Sequence, residues 1–322
     1  MARTDLPVDS GLSLQRKKRR SRLKVWAITV SVFVLVVISA CVGVSVYVGY
    51  SLTHPARKPI LLSPSNYGIA YNNIQFKSTA DGVKLSGWVL NPEKPAIMTL
   101  IFAHGYRGNR YEQNIPFFPL AKQMLQKGYR IVMFDFRDSG NSGGSMTTVG
   151  AKEQYDLLGA INYTKQHYHQ PIGLYGISMG ASASLLAAAK SKDVIAVVAD
   201  SPYSDLESYL KKNLPVWTHL PNFPFTPLIM NIIPRITDLN PKEASPISVL
   251  NKIVPRPVLF IHSTKDGAIP YTESVKMAKT HPDDFTLWLT KGDGHVKSYQ
   301  KTPAEYVKRI DAFYQKALKE VQ

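Results

Sequence analysis

Ser178 stands in Gly176-Ile177-Ser178-Met179-Gly180, between a short apolar run (Ile172, Leu174, Tyr175) and an Ala/Leu-rich segment that continues to Lys190. Strand, tight turn and helix follow one another, with a serine at the apex. A turn that sharp leaves no room for a β-carbon on either flank, so both flanks are glycine. It lifts the hydroxyl above the sheet and aims it at the helix start. Free backbone N–H groups there favour the negative charge of an acyl-transfer intermediate. The chemistry expected is nucleophilic catalysis by serine. Gly140-Asn141-Ser142-Gly143-Gly144 has the same spacing. It lies in a polar loop, with no strand directly before it and no apolar helix directly after it, so Ser178 is the expected nucleophile and Ser142 is set aside.

A serine nucleophile needs a base, an orienting acid and two oxyanion donors. In an open α/β sheet these belong just after the carboxyl ends of strands, in the chain order Ser, acid, His. Val258-Leu259-Phe260-Ile261 reads as a buried strand, and His262-Ser263-Thr264-Lys265-Asp266 as the loop at its end. Asp266 is the expected acid. Asp200, one core strand earlier, is its rival, and Asp293 lies too close in sequence to the base to orient its ring. The base is His295, on the glycine-rich loop Lys291–His295 after the strand-like Phe285–Leu289. His167, His169, His219 and His281 lie in helix, cap or loop contexts that suggest no mechanism. The Met179 amide, at the helix start, is one expected oxyanion donor. The other is the Tyr106 amide, within His104-Gly105-Tyr106-Arg107-Gly108-Asn109. His104 reads as a residue that shapes this loop.

The elements that must position these residues alternate along the chain. Strand-like segments fall near 74–79, 83–90, 97–103, 129–135, 171–176, 194–199, 257–262 and 285–290. Helical patterns fall near 113–127, 148–168, 179–191, 270–280 and 303–319. Six of the strands keep a β-α-β rhythm, and the first two read as an antiparallel hairpin at the edge. The fold class is α/β, with a mostly parallel eight-stranded sheet flanked by helices. Residues 202–246 break the rhythm with eight of the chain's 22 prolines, together with Trp217, Phe223 and Phe225. Prolines disfavour long helices and aromatics need something to pack against, so this region reads as a cap of short helices.

The N-terminus is a different kind of sequence. Residues 1–24 hold eight of the lysines and arginines against Asp5 and Asp9, a local concentration of the chain's +16 net charge. Nucleic acid would be the obvious partner for such a tail. The 26 residues from Val25 to Tyr50 argue otherwise, because they carry no charge. As a helix they span roughly 39 Å, enough to cross a hydrocarbon core of about 30 Å. Trp26 and the pair Tyr47/Tyr50 sit near the two ends, where amphipathic aromatics collect. The expected organisation is a basic cytoplasmic tail (1–24), a transmembrane anchor (25–50), a proline-containing stalk (51–70) and a catalytic domain (71–322). The basic block before the span places that domain outside the cytoplasm. Ile38-Ser39-Ala40-Cys41 resembles a bacterial lipobox around the single cysteine, but the nine residues after Cys41 stay apolar where a polar tether would begin. One cysteine permits no internal disulfide, so the fold must rest on its core.

From about residue 70 onward the chain is similar to serine-type α/β-hydrolases. Within them it resembles membrane-anchored bacterial members described as esterases or S33-like serine peptidases. The resemblance is carried by HGYRGN at 104–109, DFRDSGNSGG at 135–144, GISMG at 176–180, HSTKDGAIP at 262–270 and GDGH at 292–295. It implies that the 135–144 loop braces the site and does no chemistry. The superfamily hosts many acyl-transfer reactions, so the motifs do not name a substrate. The function expected is hydrolysis of small-molecule carboxylic esters through Ser178, His295 and Asp266, with no metal or cofactor. A peptidase or thioesterase with the same triad is the alternative, and a tethered binding protein without catalysis a more distant one.

Overall fold

A computed structural model describes residues 10–112, 115–292 and 294–321. The first nine residues of the basic tail and the rejected acid Asp293 lie outside them. Helix α1 (Ser10–Thr53) runs unbroken for 44 residues through the later basic residues and the uncharged stretch. It is long and apolar enough to cross a membrane. Trp26, Phe33 and Leu35 stand exposed along it, as lipid-facing side chains would.

The segment after α1, read from sequence as a stalk, lies against the loops of the catalytic face. The Arg57 guanidinium donates to Asp138 Oδ1 at 3.2 Å and to the carbonyls of Ser142 and Gly144. Asn109 Nδ2 donates to the Lys58 carbonyl at 3.2 Å.

The sheet then builds in chain order. Strands β1 (Asn72–Lys77), β2 (Lys84–Leu90) and β3 (Met98–Ala103) lead to α2 (Phe117–Gln126). Next come β4 (Tyr129–Phe134), α3 (Glu153–His167), β5 (Ile172–Ile177), α4 (Met179–Lys190) and β6 (Val194–Asp200). The cap helices α5 (Leu206–Thr218) and α6 (Asn222–Ile236) interrupt the alternation. It resumes with β7 (Val258–Ser263), α7 (Thr272–Ala278), β8 (Phe285–Thr290), α8 (Ser298–Lys301) and α9 (Pro303–Val321).

The eight strands lie in the order β1-β2-β4-β3-β5-β6-β7-β8. The first two are antiparallel to their neighbours and the rest run parallel. Central strands are buried on both faces, which is why they read as continuous apolar runs. In β3, Met98, Leu100 and Phe102 face a layer made by α2 and α9, while Ile101 and Ala103 face α3 and α4. The chain leaves β3 toward β4 on one side and returns to β5 on the other. That reversal opens a crevice beyond the carboxyl ends of β3 and β5, where ligands bind in such sheets.

The cap helices are longer than their prolines suggest, at 13 residues for α5 and 15 for α6, with Pro215, Pro227 and Pro234 inside them. An internal proline costs about 3 kcal/mol. Burial of Leu214, Ile229, Ile233 and Leu239 in a common cluster, at about 1.5–3 kcal/mol for each side chain, offsets it. The helical geometry of α6 begins only at Pro224, because Phe223 holds extended dihedrals, as a residue before proline does. The expectation that the cap aromatics all pack inward fails at Phe223, which is 81% exposed. Trp217 does pack, edge-on to Tyr106, and its indole N–H donates to the Tyr209 hydroxyl at 2.6 Å.

Candidate active site

Ser178 joins β5 to α4 with φ +51° and ψ −120°, a conformation that costs a non-glycine residue of order 1–3 kcal/mol. Its surroundings hold it there. A β-carbon at Gly180 would lie 2.2 Å from the Ala103 carbonyl oxygen, and one at Gly176 would lie 2.4 Å from that of Gly180. Only glycine lets the end of β3 cross the first turn of α4 this closely. The Ser178 N–H donates to the Asp200 carbonyl at 2.8 Å, pinning the turn to the next strand.

The Ser178 hydroxyl lies 2.8 Å from His295 Nε2, and His295 Nδ1 lies 2.7 Å from Asp266 Oδ2. A carboxylate only accepts, so Nδ1 carries the imidazole proton and Nε2 is left to accept from the serine. Asp266 Oδ1 accepts from the amides of Ala268 and Ile269, both at 2.9 Å. Burial pushes the Asp266 carboxyl pKa up, but hydrogen bonds from His262, His295 and the Ile269 amide outweigh it and hold it well below the usual carboxylate range. The acid therefore stays ionised beside the imidazole.

His262 is the residue that the sequence reading passes over. It belongs to β7, is fully buried, and brings Nε2 to 3.2 Å from Asp266 Oδ2. Nε2 also faces the Ile269 carbonyl at 2.9 Å, while Nδ1 meets the Ser274 hydroxyl at 2.7 Å. The proton thus sits on Nε2, and Nδ1 accepts from Ser274. The available signal was its position, a polar residue closing an apolar strand four places before the acid.

The rejected candidates lie elsewhere in the network. The Ser142 hydroxyl donates to the Asp135 carbonyl at 2.6 Å and accepts from the Ser86 amide at 2.9 Å. Asp135, fully buried, receives Arg110 at 2.6 Å. This ties the 135–144 loop into the fold. The Asp200 carboxylate accepts from Ser201 and Tyr306 hydroxyls, each at 2.8 Å, and burial raises its pKa. His104 Nδ1 donates to its neighbour's carbonyl at Gly105 (2.8 Å), and Nε2 accepts from the Phe136 amide at 3.0 Å. It shapes the loop that carries Tyr106.

That loop passes close over Ser178, since a β-carbon on Gly105 would sit 3.5 Å from Ser178 Cβ. Met179 is the first residue of α4, so its N–H has no acceptor within the helix. Tyr106, Ser178 and Met179 share the wall of a cavity whose other sides come from α5, α6 and the end of α1. Among the described residues, no charged side chain lines it.

A parallel sheet with a serine on a strained strand–helix turn, hydrogen-bonded to a histidine that is bonded to a buried aspartate, defines a serine hydrolase of the α/β-hydrolase type. The chain belongs to the X-Pro dipeptidyl-peptidase (S15) family, whose sequence model matches residues 44–224. That agrees with the serine-type α/β-hydrolase resemblance its motifs carry. Among curated relatives it is similar to the uncharacterized protein YqkD of Bacillus subtilis, 28% identical over 239 residues that cover 73% of this chain and 76% of the relative. It also resembles the uncharacterized membrane protein YNL320W of Saccharomyces cerevisiae, 23% identical over 68% of this chain and 71% of the relative. Among solved structures it resembles the Pyrococcus furiosus esterase Pf2001, with a TM-score of 0.69 at 27% identity, covering 82% of this chain and 98% of the esterase.

Proposed function

We propose that the protein is a membrane-anchored serine esterase. Ser178 attacks the acyl carbonyl while His295 takes its proton, and the Asp266 carboxylate stabilises the imidazolium. The amides of Tyr106 and Met179 hold the oxyanion. His295 then returns the proton to the leaving alcohol, and water, deprotonated by the same histidine, releases the acid and restores the serine. The observation that carries this reading is the unbroken chain of short hydrogen bonds from Ser178 through His295 to Asp266.

The family description favours a second reading, a peptidase with the same triad. A peptidase that removes N-terminal dipeptides must hold an ammonium group, and among the described residues none that lines the cavity at Ser178 is a carboxylate. An uncharged wall suits an acyl chain better, and the similarity to an esterase supports the same choice.

The anchor reading rests on the 26 uncharged residues of α1 and the basic cluster before them, and the yeast relative described as a membrane protein is consistent with it. The catalytic domain then lies outside the cytoplasm. Protease added to intact protoplasts should remove it, and protection until lysis would reverse the orientation.

A fluorophosphonate probe tests the chemistry, because it labels only an activated serine. The full chain should be labelled and Ser178→Ala should not. Turnover of p-nitrophenyl esters should exceed that of Xaa-Pro-p-nitroanilides. The opposite order would make the protein a peptidase.

A further inference from the structure

Given the hydrolase reading, on which this rests, we infer that the end of the anchor helix is one wall of the acyl site, and that the substrate is a long-chain acyl ester drawn from the membrane α1 crosses. Gly49, Leu52 and Thr53, in the last turns of α1, line the same cavity as Ser178. They are fixed there on two sides. The Tyr106 hydroxyl donates to the Leu52 carbonyl at 2.6 Å, and the Thr147 amide donates to the Thr53 carbonyl at 2.8 Å. Two carbonyls that a helix end leaves without partners are thus satisfied by loops of the catalytic face.

On the other side α6 packs along α1. A β-carbon at Gly49 would come within 2.3 Å of the Ile233 side chain, so this glycine sets how near the two helices approach. Ser45, one turn earlier and inside the uncharged run, is completely buried. The cap therefore reaches down beside the membrane-crossing part of the anchor. Helix α6 carries one charged residue, Arg235, and no acid. Phe223 and Ile236 project from it into the surroundings. An apolar, weakly basic helix at the foot of a membrane span lies where the hydrocarbon meets the headgroups. Among the described residues, the cavity it roofs is lined by aliphatic, aromatic and uncharged polar side chains against the anchor. An acyl chain leaving the bilayer alongside α1 reaches Ser178 without passing through water.

The full chain in phospholipid vesicles, supplied with 4-methylumbelliferyl oleate in the same bilayer, tests this, with the soluble butyrate ester as reference. Each methylene that the cavity accepts should raise kcat/KM by up to about fourfold, so oleate should be favoured strongly. Oleate in the protein's own vesicles should turn over at least about tenfold faster than oleate in protein-free vesicles mixed with them. Gly49→Leu should lower the oleate-to-butyrate ratio by about tenfold or more. Should that variant not fold, Phe223→Ser, which touches neither cavity nor triad, should slow oleate from vesicles and leave butyrate unchanged. Fluorophosphonate labelling with butyrate preferred, or with equal rates from own and foreign vesicles, overturns this inference alone. Absence of labelling in the unaltered chain overturns the hydrolase reading, and this inference with it.

Discussion

His262 approaches the same oxygen of Asp266, Oδ2, that receives the proton of His295. The carboxylate is held from the strand behind it as well as from the His295 ring in front. We predict that His262→Phe lowers kcat about 10- to 100-fold with little change in KM, the scale of one hydrogen bond to a charged group. His262→Gln should recover part of the loss, because its amide can still donate. An unchanged kcat in the phenylalanine variant would remove His262 from the positioning of the triad.

The two buried aspartates should separate cleanly. Asp266→Asn leaves His295 facing an amide, and kcat should fall by about 10²- to 10⁴-fold. Asp200→Asn should cost much less, because its carboxylate faces Tyr306 and Ser201 and only its backbone carbonyl meets the nucleophile's amide. Steady-state kinetics of both variants decide the matter, and a reversed order would move the acid one strand earlier.

The two serines in G-x-S-x-G should respond in opposite senses. Ser142→Ala leaves the half-buried Ser86 amide without its acceptor and should destabilise the protein by about 1 kcal/mol while probe labelling persists. Ser178→Gly should abolish labelling yet raise stability by about 1–3 kcal/mol, since glycine relieves the backbone strain at that turn. Denaturation and labelling of the same samples check both, and a destabilised Ser178→Gly would mean that the turn stores no strain.

Stability should decline with acid through His104. Burial lowers its imidazole pKa below 6.5, although Asp135 and the Gly105 carbonyl oppose the shift. The unfolded chain then takes up a proton that the folded one resists, so this stability is complete above about pH 6.5 and is lost as pH falls toward the folded pKa. Melting temperature should drop between pH 7.5 and pH 5.5, and the drop should be smaller in His104→Gln. Equal slopes would assign the acid sensitivity to other groups.

Local chemistry explains what the sequence made readable. Gly176 and Gly180 flank the nucleophile because backbone atoms fill the space that side chains would need, and that demand is written in five consecutive residues. The strands of the sheet were legible because burial on both faces forces continuous apolar runs. The cap was harder, since prolines foretell interruption while the burial of Ile229 and Ile233 restores helix across it. His262 and the docking of Leu52 on Tyr106 were harder still. Leu52 and Tyr106 pair across 54 positions and no local pattern marks them, while His262 lies only four places before Asp266 and its one mark was a polar residue at the end of an apolar strand.

The clamp of Arg57 on the 138–144 loop gives the juxtamembrane segment a further significance. A protease that cuts between His54 and Arg57 would leave the clamp with the released body but take Gly49, Leu52 and Thr53 away with the anchor. The freed fragment would keep its nucleophile, base and acid and still lack a wall of its cavity and the tether of Tyr106. Under the anchored orientation proposed above, release of the domain and loss of long-chain activity would then be one event, and a fragment lacking α1 would serve as a poor proxy for the full chain.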